Sequence, residues 1–154
     1  LALPRIDASA EELIEVDFRP FMALCHTPLA MTAHVLLPAF DEKRPASVSP
    51  VIMGEVIREL IGLTGLVMSD DIGMKALGGS MGERAGAVID AGCDVALHCS
   101  GDFDEMREVA RVVPPLEGDS AGRFAAAIAE LVQPQAFDVD QALMLVREAG
   151  GSVA

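Results

Sequence analysis

Three short apolar runs, MTAHVLL at 31–37, GLVMSD at 65–70 and DVALHC at 94–99, recur along the chain with helical segments between them. That alternation constrains the fold more than any other feature. Strands that are apolar on both faces and separated by helices belong to a parallel sheet covered on both sides. The helical segments carry their own start and stop signals. Ser9 and Glu12 stand three apart before an apolar run, as do Ser80 and Glu83, the spacing of a reciprocal cap. Asp17 precedes FRPFMALC, where Phe21 and Leu24 share a face. Ser49-Pro50 opens VIMGEVIRELIG, whose Ile52, Val56 and Leu60 form one stripe. Gly92 ends the helix begun at Ser80. Residues 102–112, AGRFAAAIAELV from 121, and a last helix between Asp138 and Gly150 complete the set.

Two architectures fit: an open doubly wound sheet and part of a βα barrel. Three strands are few for an independent open sheet, and the mean hydropathy of +0.39 is high for a domain that buries nothing against a partner. The expected fold class is therefore α/β, the C-terminal part of a TIM-like (β/α)8 barrel with about three parallel strands. In either architecture ligands bind at the carboxyl ends of the strands.

Composition removes several functions. Of 154 residues, 51% are hydrophobic and 23% charged, which excludes a disordered tail. A formal net charge of −13 argues against duplex nucleic acid or an anionic membrane as partner. No apolar run approaches the ~18 residues of a membrane span, and no basic, signal-like N-terminal region is present. Cys25, Cys93 and Cys99 have no zinc-ligand spacing and fit a reducing cytoplasm.

The chemistry concentrates where the second run ends, on Ser69, Asp70 and Asp71. Neighbouring strand residues point to opposite faces, so only one of two adjacent acids can enter a given cleft. A carboxylate held there could attack an anomeric carbon. Both acids could equally cap the loop before Met74 by accepting backbone N–H bonds. His34, inside the first run, reads as a buried core histidine or as a site residue; His26 and His98 have no sequence partner. His34, Asp70, Asp71 and His98 show no recognised metal-ligand spacing, and no phosphate-binding glycine loop follows a strand.

DFRPFMAL, AMTAHVLLPAFDEKRPASVSP, VIRELIGLTGLVMSDDIGMKAL and ERAGAVIDAGCDVAL resemble consecutive blocks of family 3 glycoside hydrolases. Within that family they look like the single-domain bacterial β-N-acetylhexosaminidases of peptidoglycan recycling. The likeness runs from Asp17 to Leu97, and the stretch from PASVSP through SDDIGM is its most specific part. It implies that Asp70 is the catalytic nucleophile and that Asp71 turns away to hold the loop; Ser69 is expected to support them, and His34 is the candidate substrate contact.

The family's Lys-His-Phe-Pro-Gly-His-Gly-like block, and the loop ending in Asp-Ser-His that supplies the acid/base histidine, have no counterpart here. LALPRID resembles the segment immediately after that loop, so residues 1–154 are expected to be the C-terminal portion of the barrel domain. The resemblance implies a cytoplasmic enzyme that removes terminal, non-reducing β-linked N-acetylglucosamine from N-acetylglucosaminyl-anhydromuramyl saccharides. It implies no metal or organic cofactor. The chain alone would be inactive and would need its N-terminal half or self-association. A β-glycosidase of other specificity, or a non-catalytic carbohydrate-binding or subunit remnant, is the alternative.

Overall fold

The computed structural model describes residues 3–131 and 138–149. Its sheet is parallel. Strand β1 (Leu29–Met31) pairs with β2 (Leu66–Met68) in the register Leu29↔Leu66, Ala30↔Val67 and Met31↔Met68. The third run joins β2 through one parallel bridge, Met68↔Val95. On the other side of the sheet Arg5 bridges Leu36, with Leu36 N–H donating to Pro4 O and Ile6 N–H to Leu36 O. The parallel sense of the three runs is that expected.

Their extents are not. The first run pairs with β2 over 29–31 instead of 31–37. Thr32 N–H still donates to Met68 O, but the chain then turns His34 inward and changes neighbour to reach Arg5 at Leu36. The second run contracts from 65–70 to 66–68. The third makes no ladder over 94–99, because beyond Val95 its backbone bonds elsewhere. Leu97 N–H goes to the Ser69 hydroxyl, and Leu97 O receives Ile72 N–H. Gly65 stands where β2 begins beside the turn before β1. A Cβ there would collide with the Thr27 carbonyl oxygen and the Pro28 backbone, so only glycine allows this approach.

Most caps lie where the sequence puts them. Ser9 accepts Glu12 N–H ahead of α1 (Ala10–Glu12), which continues in a wider i→i+5 winding over Leu13–Asp17. Asp17 falls inside that winding and does not cap. Phe18 precedes α2 (Arg19–Ala23), which leaves Phe21 and Leu24 61% and 64% exposed. Ser49 Oγ accepts Ile52 N–H at the start of a second i→i+5 helix, Ile52–Leu60. That winding moves the apolar stripe: Ile52 and Val56 are buried, Leu60 faces outward, and Ile57 and Ile61 pack inward. The Ser80–Glu83 pair makes both reciprocal bonds ahead of α3 (Met81–Ala91), and Gly92 ends it at φ 110°. Helices α4 (Phe103–Val112), α5 (Gly118–Ala129) and α6 (Val139–Glu148) come next, α6 capped by Asp138. The expected stop at Gly150 lies outside the described residues.

Two apolar clusters hold these elements. Met53, Val67, Ile72, Ala85 and Val88 join β2 to the 52–60 helix and α3. Leu13, Phe18, Leu37, Ile52 and Val56 join the N-terminal helices to the same 52–60 helix.

Candidate active site

Strand β2 delivers the loop 69–73 at its carboxyl end. Ser69 is fully buried; its hydroxyl donates to Asp70 O at 2.8 Å and accepts Leu97 N–H at 3.0 Å, tying the loop to the third run. The two acids then part. Asp71 Oδ1 accepts Gly73 N–H at 2.9 Å and Cys99 N–H at 3.2 Å, so this oxygen is occupied with the backbone of two loops, while its Oδ2 has no hydrogen-bond partner among the described residues. Asp70 is half-buried, and its Oδ1 accepts Asp71 N–H at 2.8 Å. Its Oδ2 has no hydrogen-bond partner, and Asp70 makes no ion pair, among the described residues. A carboxylate fixed through one oxygen with the other open can attack an electrophilic carbon, accept a proton or bind a hydroxyl.

His34 is 3% exposed. Its Nε2 lies 3.0 Å from Asp71 O, and its Nδ1 lies 2.6 Å from the hydroxyl of fully buried Ser47. Both ring nitrogens of His34 are thus taken by the protein. The structure places this expected substrate contact against the loop, through Asp71 O. His98 gains partners that its sequence neighbourhood does not reveal. Its Nε2 lies 2.8 Å from Glu105 Oε2 and 3.1 Å from Ser100 Oγ, holding the loop after Val95 against α4. Hydrogen bonds from Ser100 and then His98 lower the Glu105 pKa. The four residues weighed as metal ligands form no such cluster among the described residues.

One residue that positions the site was missed by sequence reasoning. The Asp94 side chain is 2% exposed, at the start of the third run. Its Oδ2 accepts Arg58 Nη2 at 2.7 Å and Val67 N–H at 2.8 Å, and its Oδ1 accepts Arg123 Nη1 at 2.8 Å and the Ser120 hydroxyl. Burial pushes this carboxyl up, but the Ser120, Val67 and Arg123 hydrogen bonds and the Arg58 charge outweigh it and hold the pKa below the usual value. The 52–60 helix, β2 and α5 are thus pinned at one point, beneath the strand that carries Asp70. An acid inside an apolar strand was the available signal, since a buried charge needs cationic partners. Elsewhere along β1 runs an apolar groove of about 430 Å³, lined by Phe21, Leu24, Leu29 and Met31 among others. Leu29 and Met31 are 48% and 55% exposed.

Residues 1–132 match the glycosyl hydrolase family 3 N-terminal domain. The chain belongs to glycosyl hydrolase family 3. A β-hexosaminidase of Neisseria gonorrhoeae is 36% identical over 130 residues, 80% of this chain and 35% of that protein. The solved structure of NagZ from Neisseria gonorrhoeae, in complex with N-trifluoroacetyl-D-glucosamine, superposes with a TM-score of 0.69 at 32% identity. That match covers 82% of this chain and 37% of NagZ. A family 3 β-N-acetylglucosaminidase from Paenibacillus shares the fold, with a TM-score of 0.72 at 24% identity over 90% of this chain and 30% of that one. This family 3 chain spans about a third of the length of the curated relatives it matches. Among its described residues no helix is long and apolar enough to cross a membrane.

Proposed function

We propose that this chain is the C-terminal part of the barrel domain of a retaining β-N-acetylhexosaminidase, and that Asp70 is its nucleophile. The observation that carries the reading is the division between the two acids. Asp71 has its Oδ1 on the backbone of two loops, which fixes that carboxylate in place, whereas the Asp70 carboxylate, just past the end of β2, takes only the N–H of its neighbour. In this mechanism Asp70 Oδ2 attacks C1 of a terminal β-linked N-acetylglucosamine. The bond from C1 to the leaving oxygen breaks as that oxygen takes a proton, and a glycosyl ester to Asp70 forms. Water then attacks C1, loses a proton to the same acid/base and releases the ester. That acid/base, and most of the grip on the sugar, come from polypeptide outside these residues. The groove beside β1, with Leu29 and Met31 exposed, supports dependence on further polypeptide or a second copy. The relatives' names support N-acetylglucosamine as the sugar removed. Muropeptide-derived saccharides and a cytoplasmic location complete the proposal, and no metal or organic cofactor is required by it.

The test is a slow 5-fluoro N-acetylglucosaminyl donor given to the assembled enzyme, followed by peptide mapping. The expected label is on Asp70, and Asp70→Ala should lower kcat by several orders of magnitude, because the covalent path is lost. Label on Asp71 or elsewhere, with Asp70 free, would overturn the assignment.

A further inference from the structure

The nucleophile's orientation has to come from its surroundings, since beside the Ser69 hydroxyl on its carbonyl oxygen Asp70 has only one hydrogen bond among the described residues, to its carboxylate. That bond is the Asp71 N–H on Asp70 Oδ1 at 2.8 Å. Whatever fixes Asp71 therefore helps to fix the Asp70 carboxylate. Asp71 is held at three points: its N–H on Asp70, its carboxylate on Gly73 and Cys99, and its carbonyl oxygen, which accepts Met74 N–H from within the loop and also meets His34. Of these, the His34 bond reaches the loop from the chain leaving β1, 37 residues upstream. A carbonyl oxygen can only accept, so Nε2 must carry the proton and donate it. The ring is itself clamped, with the Ser47 hydroxyl 2.6 Å from Nδ1 and both residues almost fully buried.

We propose that His34 is a positioning residue, acting through the Asp71–Ile72 peptide to hold the Asp70 carboxylate in its attacking orientation. It touches no substrate and moves no proton in the reaction. The same contact explains why the first run leaves the β2 ladder after Thr32: His34 must turn inward to reach Asp71 O. The catalytic part of this proposal rests on Asp70 being the nucleophile; the structural part does not.

The two amide side chains separate this role from plain core filling. Glutamine places an N–H donor near the Nε2 position and asparagine near the Nδ1 position. His34→Gln therefore keeps the bond to Asp71 O, and His34→Asn loses it. Amide hydrogen exchange on the 154-residue chain reads the effect at Asp71, Ile72 and Gly73, with Val88 in α3 as the reference. His34→Asn and His34→Ala should speed exchange at the loop about tenfold, the size expected for one lost hydrogen bond, and His34→Gln should stay close to the parent. In the assembled enzyme, kcat should fall about tenfold for His34→Asn with KM little changed, and His34→Gln should restore it. Equal behaviour of the Gln and Asn variants, or faster exchange spread evenly into α3, would overturn the proposal. So would failure of all three variants to fold, which would assign His34 to the core. If the exchange pattern follows the donor but Asp70 takes no label, the latch stands and the nucleophile reading falls instead.

Discussion

Asp94 offers the sharpest test of how the strand under the site is held. Its carboxylate collects four donors from three elements, and its side chain is 2% exposed, whereas Arg58 and Arg123 keep 20% and 29%. Removing one member of a buried charge pair costs about 3–5 kcal/mol when the partner stays buried and alone. Both arginines can swing partly into water, which favours the lower end. The Val67 N–H, by contrast, sits on a fully buried residue and cannot follow them. Asp94→Ala should thus cost roughly 3 kcal/mol in urea unfolding, or about 6–12 °C in Tm for a chain of this size. Asp94→Asn should fare little better. One end of its amide is a donor facing donors, and both guanidinium groups lose their counter-charge. The pH dependence has a fixed sign. The folded pKa lies below the ordinary aspartate value, so the carboxylate's contribution is present above about pH 4 and lost as pH falls through the native pKa. The gap between the parent and Asp94→Asn should therefore narrow below about pH 4. An Asp94→Asn chain within about 0.5 kcal/mol of the parent at pH 7 would refute the reasoning, since that is the range of an ordinary surface change.

Asp71→Asn should preserve the loop, because Gly73 and Cys99 both donate to one oxygen that an amide retains, while Asp71→Ala should lose roughly 2 kcal/mol by the same unfolding measurement. In the assembled enzyme Asp71→Asn should stay substantially active; a loss as complete as that of Asp70→Asn would mean that the acids have the opposite roles. Gly65→Ala should cost about 3 kcal/mol or more, because the new methyl would meet the backbone of Thr27 and Pro28 and not a side chain that can yield. An alanine variant as stable as the parent would show that the start of β2 has room the structure does not give it.

The features legible in the chain were local. The Ser80–Glu83 cap, the Ser9 and Asp138 caps and the stop at Gly92 depend on atoms within about one helical turn, so spacing alone places them. The parallel sense of the three apolar runs also came from the sequence, because helices between strands leave few other connections. The acidic strand end was visible too, as SDD at the close of an apolar run. Tertiary structure decided the rest. Strand extents depend on which neighbour each backbone group finds. The first run leaves its partner after Thr32 to serve Asp71 and Arg5, and the third bonds to Ser69 Oγ where a ladder would have continued. The i→i+5 winding of 52–60 exchanges Leu60 for Ile57 and Ile61 without a sequence mark. Asp94 is read as an acid in an apolar strand until Arg58, Ser120 and Arg123, up to 36 residues away, converge on it. The difference between Asp70 and Asp71 is of the same kind. Both are aspartates at one strand end, and only the tertiary structure ties the Asp71 carboxylate to Gly73 and Cys99 and its carbonyl to His34, while the Asp70 carboxylate takes one local N–H.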